Sequence, residues 1–134
     1  MEPSILKSVK KNLGLELDYI AFDSEVSMHI NSALGTLNQL GFGPPGGFAV
    51  DGDLATWNNF FIGTVAELSL IKTYVYLKVR NLFDPPTTSY VMTAFSSQIQ
   101  ELETRLSMMR EGREWVDPNP VRVLDPYTAL NRSV

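Results

Sequence analysis

Between residues 24 and 40, Val26, Ile30, Ala33, Leu34, Leu37 and Leu40 fall within about a third of the helical circumference when each residue advances about 100°. The other side carries Ser27, Asn31, Ser32, Asn38 and Gln39, polar residues with no obvious chemistry. The pattern predicts an amphipathic helix with one buried face, N-capped by Asp23 and stopped by Gly41. Ahead of it, Ile5, Leu6, Val9 and Leu13 recur at helical spacing between the start signals Pro3 and Ser4 and the stop signal Gly14. A short first helix follows from this, joined to the second by an acidic connector over residues 15–22.

The third predicted helix, residues 64–83, does not show a single stripe. Leu68, Ile71, Val75, Val79 and Leu82 share a face, while Leu70, Tyr74 and Leu77 lie on nearly the opposite one. A helix apolar on two sides is buried on two sides. The second face therefore packs under a neighbouring loop or meets another subunit, which makes Leu70, Tyr74 and Leu77 candidate subunit-interface residues. Asp84-Pro85-Pro86 halts this helix, because proline donates no hydrogen bond and disfavours helical geometry in the residue before it. Thr87, Thr88 and Ser89 then offer capping oxygens to a fourth helix, in which Met92, Phe95, Ile99, Leu102, Leu106 and Met109 repeat at spacings of three and four. The two longest helices are expected to form an antiparallel hairpin around the Pro-Pro corner.

Two segments break the helical pattern. Residues 41–47 read Gly-Phe-Gly-Pro-Pro-Gly-Gly, which excludes regular structure through missing N–H groups and free φ angles. Residues 48–50 are expected to be extended, Asp51-Gly52-Asp53 to turn, and Trp57, Phe60 and Phe61 to anchor the loop. From Arg113 the chain is rich in proline yet carries Trp115, Val121, Val123, Leu124 and Tyr127, more apolar surface than a linker needs. This tail either folds back on its own domain or docks on a partner, in the second case by adding a strand to a sheet edge. The expected fold class is all-α: a small bundle of about four helices over residues 1–112 with an extended C-terminal tail over residues 113–134.

Composition narrows the function. At 134 residues, 44% hydrophobic and 19% charged, the chain has enough apolar surface for one globular core. It has no Cys and a single His, which removes disulfides, thiolate nucleophiles and Cys/His zinc cages. The net charge of −4 argues against gripping nucleic acid, which needs clustered cations. The distribution adds more: between residues 12 and 71 there is no Lys or Arg, but Glu16, Asp18, Asp23, Glu25, Asp51, Asp53 and Glu67 all lie there. Carboxylates at helix starts and turns account for such a run; so does a coherent negative surface. The first residues carry lysines but no apolar run, and no stretch approaches the length needed to cross a bilayer, so neither export nor a membrane partner is expected.

No catalytic group emerges. His29 lies within one turn of Glu25 but has no nucleophile partner in the pattern. The glycine cluster lacks the Gly-Lys-Ser/Thr ending of a phosphate loop, and Asp51-Gly52-Asp53 lacks the further ligands of a calcium loop. Lys7, Lys10 and Lys11 are expected to be the solvated side of the first helix. No enzyme activity, metal or cofactor is expected.

Several short runs, taken in order, resemble one family. Ser4-Ile5-Leu6-Lys7 leads the first helix, Asp18-Tyr19 precedes Phe22-Asp23, and Leu37-Asn38-Gln39-Leu40-Gly41 closes the second helix. Ala55-Thr56-Trp57 follows, and Tyr76-Leu77-Lys78-Val79 runs into Phe83-Asp84-Pro85-Pro86. Over residues 3–110 the chain resembles the small helical head-to-tail adaptors, or head-tail connectors, that long-tailed phages place between portal and tail. The resemblance implies a homo-oligomeric ring, a dodecamer to match the portal, located in the virion neck and assembled in the host cytoplasm. Its partners would be further copies of itself, the portal protein, and a tail-side stopper or tail terminator protein. The genome would pass through without specific binding, past a lumen for which Asp18, Asp23, Glu25, Asp51 and Asp53 are the candidate acids. Trp115, Val121, Val123, Leu124 and Tyr127 would be the portal-docking tail, the part in which this chain departs from shorter members. The competing reading of the residues is a small helical regulatory or nucleic-acid-associated factor, with the lysine-bearing first helix on phosphate.

Overall fold

The computed structural model describes residues 4–114, and among these there are five helices and no strand. Helix α1 spans Ile5–Leu13; Ser4 caps it by accepting from the Lys7 amide at 3.0 Å, and Gly14 ends it at φ +84°, a left-handed turn that glycine adopts without a Cβ penalty. Helix α2 is Asp23–Gln39 and buries Val26, Ile30, Ala33, Leu34 and Leu37, the stripe read from the sequence. Its start differs from expectation. Asp23 lies inside the first turn and caps nothing, because its carboxylate is drawn to Lys10 of α1, 2.8 Å away.

Helix α4, Val65–Phe83, begins with a reciprocal capping box: the Glu67 amide donates to the Thr64 hydroxyl at 3.1 Å and the Thr64 amide donates to the Glu67 carboxylate at 2.8 Å. It is the central element, packed against α1, α2 and α5. Ile71, Tyr74, Val75, Leu77 and Val79 are all buried, so both apolar sides of α4 are covered within one chain. This corrects the idea of a surplus face left over for a neighbour. Tyr74 and Leu77 belong to the core, and Leu70 is a half-buried residue packed at its edge.

Helix α5, Ser89–Glu114, returns along α4. The direction is fixed by two contacts: Arg80 lies over the Phe95 ring, while six residues earlier the Tyr74 hydroxyl donates to Glu103 at 2.7 Å. As one helix is followed backward the other runs forward, the hairpin expected from the Pro-Pro corner. The seated part of α5 begins at half-buried Phe95 and runs through Ile99, Leu102 and Leu106; at its start Tyr90, Val91 and Met92 are exposed. The helix continues past Gly112, where a sequence boundary was expected, since one glycine in a last turn costs only about 1 kcal/mol relative to alanine.

The remaining helix, α3 (Trp57–Phe60), is a single turn with its own capping box from Thr56 and Asn59. It was not expected, and it is what buries the loop-anchoring Trp57 and Phe60. Residues 48–50 form no strand; the only extended pairing among the described residues is an isolated antiparallel bridge between Ser4 and Thr56.

Candidate functional site

Residues 41–56 look like a free surface loop in sequence but are fastened at three places. Phe42 and Val50 are buried in the core, and the Phe60 ring lies against Gly43, where a Cβ would collide with it. Two asparagines of α2 provide the second fastening. Asn31 Oδ1 accepts from the Val50 amide at 2.6 Å while its Nδ2 donates to the Val50 carbonyl at 3.1 Å. Asn38 Nδ2 donates to the carbonyls of Phe42 (3.2 Å) and Pro44 (2.7 Å). The amphipathic pattern leaves these side chains on the polar side of α2, yet they satisfy backbone groups that the Gly/Pro composition leaves without regular partners. The third fastening is α1: the Ile5 amide donates to the Ala55 carbonyl at 2.8 Å, and Trp57 Nε1 donates to the Ser8 hydroxyl at 3.0 Å.

The connector over residues 15–22 is held differently. From Glu16 to Phe22 every side chain is exposed, and beyond Leu15, which packs at the edge of the core, no buried apolar side chain ties the segment down. Lys10 does so instead. It is 1% exposed, and its ammonium donates to the carbonyls of Leu17 (3.0 Å) and Tyr19 (2.8 Å) while lying 2.8 Å from the Asp23 carboxylate. Two carbonyls accept from the ammonium and the carboxylate offsets its charge, which is what a buried lysine requires. The expectation that Lys10 is solvated is therefore overturned. A signal was available: Lys10 sits at the edge of the Leu6 and Leu13 stripe, away from Lys7 and Lys11. With its backbone fixed, the connector presents Leu17, Tyr19, Ile20 and Phe22 outward, and Phe22 packs edge-on against Phe83 at the end of α4.

The candidate acids fall into place unevenly. Asp23, Asp51 and Asp53 line one open groove of about 660 Å³, together with Met28, Asn31 and Val50. Lys10 neutralises Asp23, Lys7 lies 3.5 Å from Asp53, and His29 lies 3.8 Å from Glu25. Asp18 stands apart on the connector. The long cation-free run in the sequence is thus partly neutralised in space by the lysines of α1, and Asp23, Glu25 and Glu67 sit in the first turns of helices, where the helix dipole favours them. The candidate tail residues Trp115, Val121, Val123, Leu124 and Tyr127 lie outside the described residues.

Apolar surface remains at both ends of α4. One patch, at its C-terminal end, combines the connector lip with Leu82; the other, at its N-terminal end, is Ile62 and Val65. Nothing in the described residues assembles a reacting group. His29 has a carboxylate neighbour and no nucleophile, no cluster of His, Asp or Glu is placed to hold a metal, and no helix is long and apolar enough to cross a membrane. Tyr74 is strongly perturbed: burial first, then the hydrogen bond to and negative charge of Glu103, push its phenol above the ordinary value of 10.0, which makes it a fixed donor.

No curated protein and no solved structure matches the chain. A family model does: that of the phage connector protein, over residues 5–113. The match covers all five helices but for the last residue of α5, including the joints made by Ala55-Thr56-Trp57, by Tyr19 and Asp23 around Lys10, and by Phe83 against Phe22. The chain belongs to the phage connector protein family.

Proposed function

We propose that the chain is the adaptor subunit of a phage neck: a homo-oligomeric ring, dodecameric like the portal it meets, that joins portal to tail-side stopper or terminator and surrounds the path of the genome. Connector proteins are structural parts of the virion and not catalysts, which agrees with a molecule whose polar side chains go into holding backbone. The observation that carries the reading is the pair of exposed apolar patches at opposite ends of α4, left over after one chain has closed its own core. A ring needs two unlike surfaces on each subunit, and exposed apolar patches on a folded monomer mark protein contacts.

In this reading residues 113–134 clasp the portal, the fastened loop over residues 41–61 faces the tail-side component, and Glu25, Asp51 and Asp53 give the conduit wall a sign that repels phosphate. The regulator reading is weakened, because Lys10 is buried and Lys7 lies beside Asp53, which among the described residues leaves Lys11 as the one unpaired cation of the trio on α1. Deleting residues 115–134 keeps every described helix whole and should abolish joining to portal-bearing heads, scored by electron microscopy of the neck. Joining at the full-length level would refute the tail assignment.

A further inference from the structure

We infer that copies of this chain associate head to tail, with the Lys10-held connector lip of one copy seated on the Ile62, Val65 and Lys72 surface of the next. The inference rests on the ring reading and names the contact within it.

The first support is geometric. Phe22 stacks against Phe83, so the lip lies at the C-terminal end of α4, whereas Ile62 and Val65 lie at its N-terminal end. Eighteen residue steps separate Val65 from Phe83, about 27 Å at about 1.5 Å per residue. The two patches cannot be one surface. A contact between them repeats with the same polarity at every step, as a ring demands, and does not close as a two-fold dimer.

The second support is chemical complementarity. The lip carries Leu17, Tyr19, Ile20 and Phe22 with Glu16 and Asp18 interleaved and exposed. The opposite patch has Ile62 and Val65, 79% and 86% exposed, with Lys72 two turns along on the same exposed side of α4. Lys72 lies about 10 Å from Val65 along the same side of α4, and its Nζ rests 5.9 Å from the centroid of the Trp57 ring. An apolar strip edged by acids thus has its counterpart in an apolar patch edged by a cation, and that counterpart is on a second copy. Lys10 makes the lip ready-formed: with its carbonyls fixed, the segment has less ordering entropy to lose on docking. This places Asp18 in the subunit contact and leaves Glu25, Asp51 and Asp53 to the conduit.

Charge exchange tests the pairing on the full-length chain, with assembly size read by native mass spectrometry. Asp18→Lys and Lys72→Glu each set like charges against each other and should weaken assembly at least tenfold at low salt. An equimolar mixture of the two variants should restore it, since each lip then finds an opposite face on the other variant, and so should the double variant. Ile20→Asp and Val65→Asp, both at exposed positions, should each abolish assembly with unchanged circular dichroism. If the wild-type chain assembles and these variants do so equally well, the contact is overturned while the ring stands. If the wild-type chain stays monomeric with the portal present, ring and contact fail together.

Discussion

Two irregular segments of this molecule, residues 41–56 and 15–22, are held in place by opposite means. The first is anchored by buried side chains, Phe42, Val50, Trp57 and Phe60, with Asn31 and Asn38 satisfying its backbone. The second buries no side chain between Glu16 and Phe22 and is held through its carbonyls by one buried lysine. The difference separates two tasks. The loop anchored by its own apolar groups leaves only Leu54 of its large apolar side chains exposed, whereas the segment held by its backbone keeps Leu17, Tyr19, Ile20 and Phe22 free for a partner.

Breaking the apolar anchor should have the largest effect. Trp57→Ala removes a fully buried indole and its bond to Ser8, and should cost about 3–5 kcal/mol in urea unfolding. A loss below about 1 kcal/mol would show that residues 41–56 are not part of the core. Lys10→Met should cost less, about 1–3 kcal/mol, because the freed carbonyls lie near solvent and Asp23 is partly exposed. Its distinguishing mark is local: amide exchange should rise across residues 15–22 and stay unchanged in α2 and α4. Uniform exchange changes would mean that Lys10 supports the whole fold and not the lip.

The mildest change is a control that touches neither segment. Tyr74→Phe removes the bond to Glu103 between α4 and α5 and should cost about 1.5 kcal/mol at neutral pH. Its pH dependence follows from linkage. The folded phenol titrates above 10.0 and the unfolded one near it, so the Tyr74 contribution is complete below pH 10 and lost as pH rises beyond it. Wild-type stability should fall more steeply above pH 10 than that of Tyr74→Phe; parallel curves would contradict the buried pairing.

The four longer helices, their order and the hairpin were legible because they depend on local rules: periodic apolar positions, capping residues, and glycine or proline at the breaks. Ser4, Gly14, Thr64 and the Pro85-Pro86 corner all act where the pattern places them. Among the resembling motifs, Trp57 and Phe83 announce burial or contact by their side chains. The surfaces were less legible. The two-sided apolar pattern of α4 says that both sides are covered and leaves open what covers them, and α5 supplies the answer for Tyr74. Acids counted along the chain suggested one negative wall, yet Lys7 and Lys10 come from another helix to neutralise part of it.

The sequence by itself determined an all-helical chain with a single core, no Cys-based chemistry and a connector-like order of motifs. Only the tertiary structure decided that Asn31, Asn38 and Lys10 are backbone fasteners and that exposed apolar residues remain at both ends of α4. The reason is physical: a side chain that bonds to a carbonyl recognises a group every residue possesses, so the amino acid opposite it leaves no mark in the pattern.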